Sequence, residues 1–152
     1  MESNVFPYHS VHPPQKKPSL KTLIIDDEDD IYYLLRNILK QRNIDAVYAG
    51  SIHDGLEVLK QNPGICLIFL DNRLPDGLGV QYIQQFKTIA DVNIVMMTAY
   101  DTSYDQKMAL NNGADHFIGK PFTKETILSI IDQITSGHNT GLSGFIPDQE
   151  TR

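Results

Sequence analysis

At 152 residues and 41% hydrophobic, the chain has material for one domain with a real core and too little for two ordinary ones. A formal net charge of -6, with no long run of Lys and Arg, argues against a nucleic-acid backbone as a direct partner. Nothing approaches the roughly 18 consecutive apolar residues of a spanning helix, and the lone Cys66 cannot form an internal disulfide, so a cytoplasmic protein that does not insert in a membrane is expected.

Residues 1–19 carry Pro7, Pro13, Pro14 and Pro18 with little apolar periodicity, and read as an extended arm. His9 and His12 in this arm lack the further ligands a metal site needs. The run TLIID (Thr22 to Asp26) fits a buried strand, and Ile31, Leu34, Leu35, Ile38 and Leu39 then recur at helical spacing. AVYAG (Ala46 to Gly50) is the second strand, with Ser51 and Asp54 resembling a capping box for the helix that follows. ICLIFLD (Ile65 to Asp71) is the third strand, in which Cys66 reads as packing. After Gly79 a helix runs through Tyr82, Phe86 and Ile89.

NIVMMTA (Asn93 to Ala99) gives the fourth strand, and a weakly apolar helix from about Thr102 to Asn112 is closed by Gly113 at C′. ADHFIGK (Ala114 to Lys120) is the fifth strand. Thr123, after Pro121, is the N-cap of a last helix through Ile127, Ile130, Ile131 and Ile134. From Ser136 on, Gly137, Gly141, Gly144 and Pro147 among polar residues read as a flexible tail, 136–152, which leaves a domain of 20–135.

Such alternation predicts an α/β fold, a parallel sheet with helices on both faces and right-handed crossovers. Ligands of such sheets bind beyond the carboxyl ends of the strands. Those ends carry Asp26 and Asp27, then Asp71, Thr98, and Lys120 followed by Pro121. Three ionised carboxylates in one partly dehydrated pocket need a cation, and an all-oxygen site suits Mg²⁺, or Mn²⁺ in its place. A hydroxyl, a lysine and a metal around one carboxylate make a site for phosphoryl oxygens, with that carboxylate as nucleophile.

Four motifs together resemble the receiver domain of two-component response regulators: the acidic pair in IIDDED, LDNRLPDGLG with Pro75 and Gly79 in register, MTAY, and GKPF. The resemblance covers about Leu20 to Thr135. It implies a flavodoxin-like doubly wound sheet of strand order 2-1-3-4-5. It further implies that Asp71 is the phospho-acceptor, that Asp26, Asp27, Asp71 and the backbone carbonyl of Arg73 hold Mg²⁺, and that Lys120 and Thr98 contact the phosphoryl group.

The same resemblance makes Thr98 and Phe117 the switch pair, Phe117 lacking the hydroxyl that would let it form a new hydrogen bond. The implied donor is a phosphohistidine on a sensor histidine kinase or phosphotransfer protein, and the implied chemistry is confined to the protein's own phosphorylation and dephosphorylation. A downstream protein target is expected on the face built from the fourth helix, fifth strand and fifth helix, since no output domain is read after Thr135. Arg73 and Tyr100, two residues after Asp71 and Thr98, are expected to lengthen the phosphoryl lifetime by their bulk.

Single residues admit plainer readings: Asp29 and Asp30 as an acidic helix start, Lys120 as a snorkelling lysine, Phe117 as core. Other classes call for different residues. An aspartyl-phosphate phosphohydrolase would place a second Asp where Arg73 stands, and a flavodoxin-like cofactor binder would want a glycine- or hydroxyl-rich loop in place of DDEDD. A receiver-like binding module that is never phosphorylated is the remaining alternative.

Overall fold

A computed structural model describes residues 20–99 and 102–137. The predicted arm, residues 138–152 of the predicted tail 136–152, and Tyr100 lie outside the described residues, while Ser136 and Gly137 belong to the last helix rather than to a tail. Five strands, β1 (Lys21–Ile25), β2 (Asp45–Ala49), β3 (Ile65–Asp71), β4 (Asn93–Thr98) and β5 (His116–Gly119), form one sheet in the order β2-β1-β3-β4-β5. Every neighbouring pair is parallel, and the strand order is the expected 2-1-3-4-5.

The near-continuous apolar runs of β1, β3 and β4 follow from burial on both faces, because side chains alternate between two cores. Leu23, Ile25, Ile68, Leu70 and Met96 face one core. Ile24, Leu67, Phe69, Val95 and Met97 face the other. Helices α2 (Ile52–Gln61), α3 (Ile83–Ile89) and α4 (Ser103–Asn111) cover the first, through Leu56, Leu59, Phe86 and Ala109. Helices α1 (Asp29–Lys40) and α5 (Lys124–Gly137) cover the second, through Leu35, Ile38, Leu39, Ile127 and Ile131. No helix among the described residues is long and apolar enough to cross a membrane.

The predicted caps are present: Ser51 Oγ accepts from the Asp54 N–H at 3.1 Å, and Thr123 Oγ1 from the Thr126 N–H at 3.2 Å. Gly113, at φ +103°, ends α4 in the left-handed region that favours glycine.

Three local readings change. Leu34 is exposed, since it lies furthest from the centre of the stripe that Ile31, Leu35, Ile38 and Leu39 define on α1. Cys66 is only half-buried, because the β1–β3 register shifts between Lys21 and Thr22, and its thiol turns to the Lys21 carbonyl oxygen at 3.8 Å. The segment after β3 forms a hairpin pairing Arg73–Leu74 with Gly77–Leu78, and then a 3₁₀ turn, Gly79–Tyr82, before α3 begins at Ile83.

Candidate functional site

Asp26 directly follows β1, and its N–H donates to the Ala49 carbonyl at 3.1 Å, which prolongs the β1–β2 pairing by one residue. That fixes its fully buried carboxylate at the sheet edge, where Oδ1 accepts from the Glu28 N–H at 2.9 Å. Asp27 points to solvent. Asp71 is the last residue of the central strand β3, 4% exposed and paired in register with Met97 of β4. Asp26, Asp27 and Asp71 each offer a carboxylate oxygen within 4.8 Å of the others.

Lys120 sets a positive charge against this group. Lys120 follows β5, its N–H donating to the Thr98 carbonyl at 2.7 Å, and its Nζ lies 2.6 Å from Asp26 Oδ2 and 3.3 Å from Asp71 Oδ1. The exposed Glu28 adds a carboxylate 3.7 Å from the same Nζ. The sequence brought Lys120 to Asp71; the structure shows it closer to Asp26.

Charge balance appears in the acidities. Burial pushes the Asp71 carboxyl up to about 6, the charge of Asp26 adds to this, and Lys120 only partly opposes it. Burial pulls the Lys120 ammonium down, but hydrogen bonding to Asp26 and the negative charge of Asp71 outweigh it and hold the pKa above its usual value. Lys120 therefore does not fully offset the burial of Asp71 and the charge of Asp26 beside it. The grouped donors are all carboxylate oxygens, two of them buried, so the residues present fit a hard divalent cation such as Mg²⁺.

The chain leaves Asp71 through a tightly held turn. The Asn72 N–H donates to the Met97 carbonyl at 3.0 Å, its carbonyl accepts from the Gly79 N–H at 2.8 Å, and its Oδ1 accepts from the Val80 N–H at 3.0 Å. A Cβ on Gly79 would sit 2.4 Å from the Asp71 carbonyl oxygen, so only glycine fits there. Arg73 lies in the hairpin with an exposed side chain. Thr98, 2% exposed, ends β4 beside β3, and the half-buried Phe117 of β5 packs against the core that α4 covers.

Sequence reasoning missed Asn72, Asp76 and the approach of Glu28. Asp76, at the hairpin turn, accepts from the N–H groups of Ile52 and His53 at the start of α2, each at 2.9 Å. An Asp between Pro75 and Gly77 is a turn signal, but its acceptors' partners lie 24 and 23 residues away and leave no local mark.

Residues 22–132 match the family model of the response regulator receiver domain. The chain is 33% identical over 112 residues to the transcriptional regulatory protein YxdJ of Bacillus subtilis (strain 168), covering 73% of this chain and 48% of that protein. It is 31% identical over 117 residues to the phosphate regulon transcriptional regulatory protein PhoB of Escherichia coli (strain K12), covering 75% of this chain and 51% of that one. It thus spans about half the length of these curated relatives. A two-component response regulator from Clostridium difficile has the same fold, with a TM-score of 0.76 and 27% identity over 80% of this chain and 100% of that one. On the match to the family model and on these relatives, the chain belongs to the response regulator receiver domain family.

Proposed function

We propose that Asp71 accepts a phosphoryl group from a phosphohistidine, carried by a sensor histidine kinase or a histidine phosphotransfer protein, and that the charged site then signals through the α4–β5–α5 face. The observation that carries this reading is the position of Asp71: buried at the end of the central strand, grouped with Asp26 and Asp27, and 3.3 Å from the Lys120 ammonium.

In the proposed transfer, an Asp71 carboxylate oxygen attacks phosphorus in line, the new O–P bond forms as the donor's P–N bond breaks, and the electron pair returns to the imidazole nitrogen. Asp26, Asp27, Asp71 and the Arg73 carbonyl would hold Mg²⁺, or Mn²⁺ in its place. Bound there, the ion offsets the charge of the carboxylates and of the phosphoryl oxygens. Lys120 would turn from Asp26 toward the added group, and the Thr98 hydroxyl would donate to it.

Arg73 and Tyr100 would shield the acyl phosphate from water, and Phe117 would report the change through its packing toward α4. Turnover is then limited to the protein's own phosphorylation and dephosphorylation, in the cytoplasm, and the output is a downstream protein. The phosphohydrolase alternative is disfavoured because Arg73, two residues after Asp71, cannot serve as a general acid.

Intact-mass measurement after incubation with acetyl phosphate tests the reading. The expected result is a gain of one phosphoryl group that requires Mg²⁺ and is absent in Asp71→Asn. No gain, together with no Mg²⁺ binding by calorimetry, would leave a receiver-like binding module instead.

A further inference from the structure

The hairpin that carries Arg73 is held at both ends. At its base, Asn72 bonds to Met97 of β4 and takes the N–H groups of Gly79 and Val80. At its turn, the two carboxylate oxygens of Asp76 each take one N–H from the first turn of α2, Ile52 and His53, at 2.9 Å. A carboxylate suits that end of a helix, where N–H groups lack intrahelical acceptors and the dipole is positive. The turn also touches α2 through apolar atoms: a Cβ on Gly77 would lie 3.4 Å from Ile52 Cδ1, and Ile52 is buried. Ser51 Oγ takes the next N–H, that of Asp54, without contributing to the hairpin.

We propose that Asp76 is a positioning residue for the metal site: by clamping the hairpin turn to α2 it holds the Arg73 backbone carbonyl where a divalent cation takes it as a ligand. The proposal rests on the functional reading above, in which that carbonyl belongs to the metal shell. Without the clamp the turn loses both hydrogen bonds that tie it to α2, and the carbonyl gains freedom that ion binding must remove.

Calorimetric titration of Mg²⁺ into the full chain separates the possibilities, with Asp76→Ala, Asp76→Asn and Ser51→Ala beside the wild type. Asp76→Ala is expected to weaken Mg²⁺ about tenfold, the lower end for groups that orient metal ligands. Asp76→Asn, which keeps one acceptor oxygen, should fall between, and serves if the alanine variant does not fold. Ser51→Ala removes a cap from the same helix end and should bind Mg²⁺ as the wild type does. Unchanged affinity in both Asp76 variants overturns the proposal. So does an equal loss in Ser51→Ala, which would mean general loosening of α2. A wild type that binds no Mg²⁺ would instead overturn the metal reading on which the proposal stands.

Discussion

Asp71 carries a cost in the folded chain that is set by its own surroundings. Its carboxyl has a pKa of about 6 when folded, against 3.8 for the unperturbed group, first because it is buried and next because Asp26 lies beside it. A raised folded pKa means that the folded chain holds the proton more tightly, so the stabilising contribution is full below pH 3.8 and is lost as pH rises through about 6. Asp71→Asn should therefore be more stable than the wild type in metal-free buffer at pH 8, by on the order of 2 kcal/mol, and nearly equal to it near pH 4. Denaturant unfolding at the two pH values checks this, and parallel profiles would refute it. Gly79 is constrained by a neighbour rather than by charge. Gly79→Ala drives a Cβ against the Asp71 carbonyl oxygen, a backbone atom that cannot rotate away, and should cost about 1–3 kcal/mol by chemical denaturation. In the sequence this glycine was legible only as a register mark. Its cause, an approach between backbones eight positions apart, appears only once the hairpin is folded.

The elements differ in how firmly they are held, and α4 is held least. Among the described residues α4 buries Ala109 alone, whereas α2 buries Ile52, Gly55, Leu56 and Leu59. Tyr104, Met108 and Leu110 of α4 are exposed. Its fastening is at the C-terminal end, where Gln84 Nε2 donates to the Asn112 carbonyl at 3.0 Å. Hydrogen exchange should show the α4 amides as the least protected of the long helices, since local opening there exposes little apolar surface. Protection of α4 equal to that of α1 would contradict this. The weak apolar pattern of α4 was visible in the sequence, as were the firm stripes of α1 and α5, because periodicity records burial directly. The 3₁₀ start before α3 was not, since it is imposed by the turn closed at Asn72 and not by the residues of the helix itself.

Across the whole molecule, alternation of runs was enough for a parallel sheet with two covered faces, while strand order came from the resemblance and not from periodicity. That Asp26, Asp71, Thr98 and Lys120 come together was legible because each ends or directly follows a strand of a parallel sheet, and so shares an edge with the others. The ranking of contacts within the site was not legible: that Lys120 lies nearer Asp26 than Asp71 depends on side-chain geometry at the meeting of three strands. This ion pair joins residues 94 positions apart, one after the first strand and the other after the last. A contact of such separation closes nearly the whole domain, and the entropy of that closure is recovered only when the strands between have docked. The pair is accordingly expected to form late in folding. Lys120→Ala should steepen none of the folding kinetics and speed unfolding instead, as stopped-flow measurements in denaturant would show, whereas a slowed folding limb would place the contact in the nucleus. A chain cut before the last strand would keep Asp26, Asp27 and Asp71 in its sequence but lose the lysine that sets its charge against them, so the charge pattern of the site is complete only when the first and last strands stand in one sheet.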